Sequence, residues 1–312
     1  MASKLLRCAT TVSSFIRASP SSLFSRPRLL SGAASSDPPP SPPPTDLPPP
    51  PSPGGGISRN PDRRTSKSSL KDPELAKFSA LADTWWDYEG PFKPLHAMNP
   101  TRLAFIRSTI CRHFGKDPSS PRPFEGLKII DVGCGGGILS EPLARMGATV
   151  MGIDAVEKNI KIAQVHADRD PSTLGIEYCC TTAEKLVKEQ RTFDVVISLE
   201  VIEHVANPAE FCKSLSALAI PGGATVISTI NRSMRAYATA IVAAEYLLGW
   251  LPKGTHEWSS FLKPEELVLI LQRASISIKE MAGFVYNPLT RRWYLSDDVS
   301  VNFIVYGFKC KQ

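Results

Sequence analysis

Two glutamates and a histidine lie close together in the chain, at Glu200, Glu203 and His204. This acidic cluster follows the apolar run 193–199, which has the length and composition of a buried β-strand. Spacings of three and four residues place the three side chains on one side of a helical turn. Three interpretations fit: a solvated turn, a general base at His204, or a site for a hard divalent cation such as Mg²⁺.

A glycine-rich turn, residues 133–137 with the sequence Gly-Cys-Gly-Gly-Gly, follows the apolar run 127–132 and precedes a helical pattern. Glycines at such a turn let the backbone approach a ligand closely. Asp154 ends the next predicted strand, where an acid can bind both hydroxyls of a ribose. Position 138 is Ile, so the third glycine of a dinucleotide-binding loop is missing, and no Lys-Ser or Lys-Thr pair follows as in a P-loop. The pattern favours a neutral or cationic nucleoside cofactor.

The segment 127–154, with an acid before the glycines and another at the end of the second strand, resembles the first motifs of the seven-stranded S-adenosylmethionine-dependent methyltransferases. The resemblance implies that Gly133 and Gly135 lie under the methionine part of S-adenosylmethionine and that Asp154 holds its ribose. It also implies that Ala183-Glu184, after the third strand, flanks the adenine.

Methyl transfer to oxygen suggests what a metal at the acidic cluster would do. A methyl sulfonium is attacked in line by an oxygen nucleophile, and a phenolate attacks far better than a phenol. A divalent ion chelated by two adjacent hydroxyls lowers their pKa and fixes one of them for attack. The metal interpretation therefore favours a catechol over a lone phenol.

Six motifs that occur in order over roughly residues 73–310 narrow the resemblance to one family of these methyltransferases. They are Trp85-Trp86-Asp87, Phe92-Lys93-Pro94-Leu95-His96, Asn99-Pro100 with Arg102, the glycine turn 133–137, Glu203-His204-Val205, and Lys253-Gly254-Thr255-His256. Together they are similar to the ubiquinone biosynthesis 3-O-methyltransferases, the bacterial enzymes and their mitochondrial relatives. That family transfers methyl from S-adenosylmethionine to a hydroxyl of polyprenyl-dihydroxybenzoate and of demethylubiquinol.

This resemblance implies two sets of site residues. Those that contact S-adenosylmethionine are Arg102, Gly133, Gly135, Asp154 and Leu199. Those that bind Mg²⁺ and take part in catalysis are Glu200, Glu203 and His204.

The elements that must position these residues alternate between strand and helix. Predicted strands are 127–132, 148–153, 176–180, 193–199 and 224–229, and predicted helices are 137–146, 156–167 and 208–218. Two more strands, 275–284 and 299–309, have no helix between them. We expect an α/β, Rossmann-like fold: a seven-stranded, mostly parallel sheet with helices on both faces and a C-terminal antiparallel hairpin. Before it, residues 71–114 are predicted to be helical, with a turn at Asn99-Pro100 and a new helix from Arg102.

The N-terminal region predicts import into an organelle. Residues 1–36 hold five basic residues and no Asp or Glu, the composition of a transit peptide. Residues 37–70 include a run in which 11 of the 16 residues 38–53 are Pro, which predicts a disordered, extended linker. The methyltransferase domain is then 71–312. Seven Cys without a C-x-x-C spacing suit a reducing compartment, and the expected location is the mitochondrion.

The segment 231–256 is an apolar insert in which some 15 residues are biased toward apolar types, too few to span a membrane. It can lie in a membrane interface or cover the active site as a buried helix. The expected partners are a polyprenylated catechol substrate, the matrix face of the inner membrane and a multi-subunit ubiquinone biosynthesis complex. Because the basic excess is mostly in 1–36, a nucleic-acid partner is not expected.

Two other functions compete with this one. The chain can be a non-catalytic methyltransferase fold that serves as an assembly subunit of a membrane-bound biosynthetic complex, although the intact acidic cluster argues against that. It can also be a soluble O-methyltransferase of small phenols, with the apolar insert merely packing.

Overall fold

The computed structural model describes residues 71–239 and 258–311. The predicted transit peptide 1–36, the linker 37–70, most of the insert 231–256 and the Lys253-Gly254-Thr255-His256 motif lie outside the described residues. Within the part described, no helix has the length and apolar character needed to cross a membrane.

A mixed sheet of eight strands forms the centre of the fold, in the order β3-β2-β1-β4-β5-β8-β6-β7. The strands are β1 (Lys128–Val132), β2 (Thr149–Asp154), β3 (Glu177–Cys180), β4 (Phe193–Leu199), β5 (Ala219–Ile230), β6 (Ile276–Asn287), β7 (Arg292–Ser296) and β8 (Asn302–Lys309). The first five pair in parallel, and β8 pairs antiparallel with β5 and β6. The predicted α/β class with a C-terminal antiparallel hairpin is confirmed.

The predicted number of strands was wrong, since the sheet has eight rather than seven. The additional strand, β7, pairs antiparallel with residues 283–287 of β6. Asn287 Oδ1 accepts hydrogen bonds from the backbone N–H groups of Leu289 and Thr290 at 2.9 and 3.2 Å, and Arg291 has a φ of 55°. This Asn-centred turn reverses the chain, so a segment expected to be a connection becomes an edge strand.

The helices are α1 (Asp72–Leu81), α2 (Lys93–Phe114), α3 (Ser140–Arg145), α4 (Glu157–Ala167), α5 (Ala183–Lys188), α6 (Pro208–Leu218), α7 (Met234–Ala236) and α8 (Pro264–Arg273). The expected turn at Asn99-Pro100 was wrong, because α2 continues through Pro100. Proline removes one backbone donor from a helix, but buried Met98 and Phe105 on either side anchor α2 to the core. Asn99 and Arg102 therefore lie one helical turn apart.

Apolar layers cover both faces of the sheet. On one face Ile130 belongs to a cluster with Leu215 of α6 and Leu271 of α8. On the other, Ile129 belongs to a cluster with Phe105 of α2. Adjacent residues of β1 enter opposite layers because side chains alternate along a strand, and a parallel sheet is buried on both faces. Polar side chains are thereby left to the ends of the strands, where the site lies.

Candidate active site

A cavity of about 630 Å³ opens at the carboxyl ends of the parallel strands. All the predicted site residues line it, although they come from different elements: Arg102, Gly133, Gly135, Asp154, Leu199, Glu200, Glu203 and His204. Ligands bind at this edge in open α/β sheets because the loops leaving neighbouring strands converge there.

The glycine loop, residues 133–137, is held against β2 and against a tryptophan. The backbone N–H of Gly133 donates to Ile153 O at 2.8 Å. Gly133 and Gly135 have φ values of 78° and 53°, which glycine adopts without strain. A Cβ at Gly135 would lie 2.4 Å from the Trp85 ring, and a Cβ at Gly136 would lie 2.5 Å from Cβ and Cγ of Trp85. These glycines are therefore required by the packing of Trp85 as well as by the turn.

Asp154 is held by three donors at the end of β2. Its Oδ2 accepts from the Gly135 N–H at 3.0 Å, and its Oδ1 accepts from the Val156 N–H at 2.8 Å and from Asn159 Nδ2 at 3.2 Å. Burial raises the pKa of this carboxyl, and these donors partly offset the effect. Lone pairs remain on the carboxylate, so it can still accept from ribose hydroxyls while the loop fixes its position.

Asn159 was missed by the sequence prediction, and Trp85 was noted only as part of a motif. The indole Nε1 of Trp85 donates to Asn159 Oδ1 at 2.9 Å. Trp85 stacks on Phe92 with ring centroids 3.7 Å apart. The aromatic segment after α1 is thus linked to Asp154 through Asn159 of α4, a contact between distant segments that no local pattern reveals.

Arg102 and Asn99 present unsatisfied polar atoms from α2. Arg102 Nη2 lies 3.0 Å from Glu200 Oε1, yet Arg102 Nε and Nη2 and Asn99 Oδ1 are buried without a well-aligned hydrogen bond to any described residue. Both residues line the cavity. Donors and an acceptor one helical turn apart are complementary to an amino acid zwitterion, with the guanidinium for a carboxylate and the amide oxygen for an ammonium.

Glu200 follows directly after β4 in an unusual backbone conformation. Its φ is 55°, a region that costs a non-glycine residue free energy and that is enriched at functional sites. Ser228 Oγ donates to Glu200 Oε1 at 2.6 Å, and Arg102 approaches the same oxygen. This backbone conformation lets the Glu200 carboxylate contact both Arg102 of α2 and Ser228 of β5 at the wall of the cavity.

Glu203 is a buried carboxyl with one unsatisfied oxygen. Its side chain is almost inaccessible, with a relative exposure of 3%. Thr229 Oγ1 donates to Oε2 at 3.0 Å, whereas Oε1 has no hydrogen-bond partner among residues 71–239 and 258–311. Burial, and after it the nearby Glu200 carboxylate, raises the pKa of Glu203 to about 7.

His204 is held by α1. Its Nδ1 donates to Glu74 Oε2 at 2.6 Å, and the Phe78 ring packs edge-on against the imidazole with centroids 5.0 Å apart. The hydrogen bond from His204 lowers the pKa of Glu74. A proton on Nδ1 leaves the lone pair on Nε2, the atom that would serve as a metal ligand or a base.

The acidic cluster contains carboxylate oxygens of the kind that bind a hard divalent cation, although its side chains do not form a complete metal site. Among the residues described, no three His, Cys, Asp or Glu side chains lie in a metal-binding arrangement. The buried Oε1 of Glu203 is nevertheless unsatisfied, and an ionised carboxylate is costly to bury unless paired. The carboxylate oxygens of Glu203 and Glu200 are of the kind that Mg²⁺ prefers, whereas the imidazole nitrogen of His204 is a ligand more typical of transition metals.

Several known proteins are similar in sequence to this chain. Residues 103–277 match a family described as Methyltransferase domain. The mitochondrial ubiquinone biosynthesis O-methyltransferase of Arabidopsis thaliana is 74% identical over 257 residues, which cover 82% of this chain and 80% of that protein. The ubiquinone biosynthesis O-methyltransferase of Parvibaculum lavamentivorans is 50% identical over 241 residues, which cover 77% of this chain and 94% of that protein.

Solved structures show the same fold. The magnesium protoporphyrin IX methyltransferase of Synechocystis PCC 6803 with bound SAH aligns with a TM-score of 0.52 at 20% identity, over 76% of this chain and 100% of that one. At this identity the likeness establishes the fold alone.

Proposed function

The chain belongs to the family of ubiquinone biosynthesis O-methyltransferases, and from that membership we propose that its substrates are polyprenylated catechols and that its acidic cluster binds Mg²⁺. Its activity is S-adenosylmethionine-dependent methyl transfer to oxygen in ubiquinone biosynthesis. Its location is mitochondrial, as in the relative from Arabidopsis thaliana.

The positions of the residues that line the cavity support one defined binding site for S-adenosylmethionine. Asp154 would accept from the ribose hydroxyls, and the glycine loop would pass beneath the cofactor at Gly133 and Gly135. Arg102 would bind the methionine carboxylate through its unsatisfied N–H groups, and Asn99 Oδ1 would accept from the ammonium. Leu199, at the end of β4, would supply an apolar contact. We add Asn99 to the residues inferred from sequence because its Oδ1 is buried without a partner among the described residues.

The observation that carries the metal proposal is Glu203 Oε1, a buried carboxylate oxygen without a hydrogen-bond partner in the described residues. Glu203, His204 through Nε2, and Glu200 would hold the ion. When bound, Mg²⁺ would lower the pKa of two adjacent phenolic hydroxyls and so favour the phenolate.

The chain's own residues orient the side chains of this site. Thr229 fixes one oxygen of Glu203, Ser228 fixes Glu200, and Glu74 fixes the ring of His204. Phe78, against His204, helps to close the cavity on the side of α1. Placing the phenolic oxygen in line with the methyl sulfonium supplies much of the rate enhancement.

A peripheral position on the matrix face of the inner membrane and a place in a multi-subunit biosynthetic complex belong to the same proposal. The apolar composition of the insert 231–256 supports membrane contact. Flotation of the full chain with liposomes should be reduced by Leu247→Asp with Leu248→Asp. Unchanged flotation would leave the insert without a lipid role and favour a soluble substrate.

The decisive experiment is transfer of labelled methyl from S-adenosylmethionine to a short-chain prenylated dihydroxybenzoate, with and without EDTA. Activity lost in EDTA and restored by Mg²⁺ supports the proposal. Activity indifferent to EDTA would reject the metal and favour His204 as a base. Glu203→Ala separates enzyme from scaffold, because a non-catalytic assembly subunit would still support the pathway.

A further inference from the structure

Asn302 begins β8 and lines the cavity, and neither the sequence motifs nor the family resemblance assigns it a role. Its relative exposure is 6%. In the antiparallel register it pairs with Ile230, the residue after Thr229, whose hydroxyl donates to Glu203. Side chains alternate along β5, so Asn302 shares its face of the sheet with Ser228, whose hydroxyl donates to Glu200, and not with Thr229. Asn302 therefore lies on the Glu200 side of the acidic cluster.

The amide of Asn302 is almost unused within the described chain. Its Oδ1 has no hydrogen-bond partner there, and its Nδ2 contacts only the thioether sulfur of Met98 at 3.9 Å, a weak acceptor. Exchanging the two amide atoms would not improve the match. Nearby Asn231 is equally buried, but its Nδ2 donates to Val299 O at 2.8 Å. A buried polar group without a partner destabilises the fold, so the position is suited to a ligand.

The sheet order separates this amide from the ribose end of the cofactor. Strands are spaced about 4.8 Å apart, so β8 is about 19 Å from β2, where Asp154 would hold the ribose. It is only about 10 Å from β4, which leads into the acidic cluster. That distance suits a catechol ring with its oxygens at the acidic cluster and its opposite substituent toward β8. Phe284 and Trp293 also line this part of the cavity and offer aromatic walls.

We infer that the Asn302 amide hydrogen-bonds the polar ring substituent opposite the reacting oxygens, and so accommodates two kinds of substrate. The amide nitrogen donates to the carboxylate of a prenylated dihydroxybenzoate. The amide oxygen accepts from a ring hydroxyl of a quinol that has lost the carboxylate. This inference rests on the proposed function, since it assigns a contact to the substrates proposed there.

The test compares Asn302→Asp and Asn302→Leu with the unchanged protein on both substrates, each with a short prenyl chain. An aspartate can accept but, when ionised, cannot donate. We expect Asn302→Asp to lower kcat/KM for the carboxylated catechol by about 10- to 100-fold and to leave the quinol within about threefold. We expect Asn302→Leu, which removes both donor and acceptor, to lower kcat/KM for both substrates by about tenfold.

Thr225→Val is the matched control. Thr225 is also buried, its Oγ1 also lacks a partner among the described residues, and it does not line the cavity. It should change neither substrate's kcat/KM. S-adenosylmethionine affinity, measured by calorimetry, should be unchanged in all three variants, and thermal unfolding identifies any variant that fails to fold.

Equal losses on both substrates in Asn302→Asp, with cofactor affinity unchanged, would overturn the inference alone. Loss of cofactor affinity in Asn302→Leu would overturn it too, by assigning the amide to the cofactor. If the unchanged protein methylated neither substrate while binding S-adenosylmethionine, the proposed function would fail and the inference with it.

Discussion

Glu74 Oε2 lies 2.6 Å from His204 Nδ1, across 130 residues of chain. This contact joins α1, the first described helix, to the acidic cluster after β4. A carboxylate that accepts from one imidazole nitrogen fixes the ring and strengthens the other nitrogen as a ligand. Glu74 is therefore a positioning residue for the proposed Mg²⁺ site.

Removing this carboxylate should weaken the response to Mg²⁺. We expect Glu74→Ala to raise the Mg²⁺ concentration for half-maximal methyl transfer by about 10- to 100-fold. Glu74→Gln, whose amide oxygen can still accept from Nδ1, should have a smaller effect. Lys77→Ala is the control, because Lys77 lies 3.8 Å from the same carboxylate. Identical Mg²⁺ titrations for Glu74→Ala and Lys77→Ala would contradict the positioning role.

The raised pKa of Glu203 predicts how stability depends on pH. Burial and the Glu200 carboxylate raise this pKa from its ordinary 4.5 to about 7. The folded chain then holds the proton more tightly than the unfolded chain, so the free energy of unfolding falls as pH rises from 4.5 through 7. In EDTA, the thermal midpoint should therefore decrease between pH 6 and 8, and Mg²⁺ should restore it by pairing with the ionised carboxylate.

Glu203→Gln should flatten that decrease and abolish the stabilisation by Mg²⁺. A slope below pH 6 will remain, because burial raises the pKa of Asp131 to about 6. Glu210→Gln, which alters an exposed glutamate paired with Lys213, should keep the behaviour of the unchanged protein. A decrease between pH 6 and 8 that persists in Glu203→Gln would show that another group controls it.

Local signals predicted much of this fold. The predicted ranges 193–199 and 208–218 coincide with β4 and α6, because a continuous apolar run and a strong helix start define them. Asn207 accepts from the backbone N–H groups of Ala209 and Glu210 at the start of α6, and Pro208 occupies a first-turn position that tolerates it. Pro100 misled the prediction because packing of α2 outweighs its local cost.

The site was predictable to the extent that topology alone positions residues. The carboxyl ends of β1, β2 and β4 must meet at one edge, so Gly133, Asp154 and Glu200 line one cavity. Contacts between residues far apart in the sequence could not be predicted, because no local sequence pattern marks them. Asn302 reaches the cavity only because β8 inserts between β5 and β6, an arrangement that the apolar pattern of β8 does not specify.

The glycine loop gives a third prediction. Gly136 has no positive φ, yet a Cβ there would lie 2.5 Å from Cβ and Cγ of Trp85. We expect Gly136→Ala to destabilise the fold by about 1–3 kcal/mol and to weaken S-adenosylmethionine binding. Gly175→Ala is the control, because its Cβ would meet nothing within 4 Å and its φ is not positive. Calorimetry and thermal unfolding measure both effects, and equal behaviour of the two variants would exclude packing of Trp85 as the constraint.

The hydrogen bond from Trp85 to Asn159 should affect the cofactor rather than the methyl acceptor. Trp85→Phe keeps a ring against Phe92 and the glycine loop but removes the Nε1 donor that holds Asn159 at 2.9 Å. Asn159 then orients Asp154 less firmly, so the KM for S-adenosylmethionine should rise by up to about tenfold, in proportion to one lost hydrogen bond. The kcat at saturating cofactor should change little.

Trp86→Phe, which removes the bond from Trp86 Nε1 to Gly136 O, is the comparison that leaves Asn159 untouched. A lower kcat with an unchanged KM in Trp85→Phe would place the effect on the chemical step and refute the link through Asn159 to the ribose.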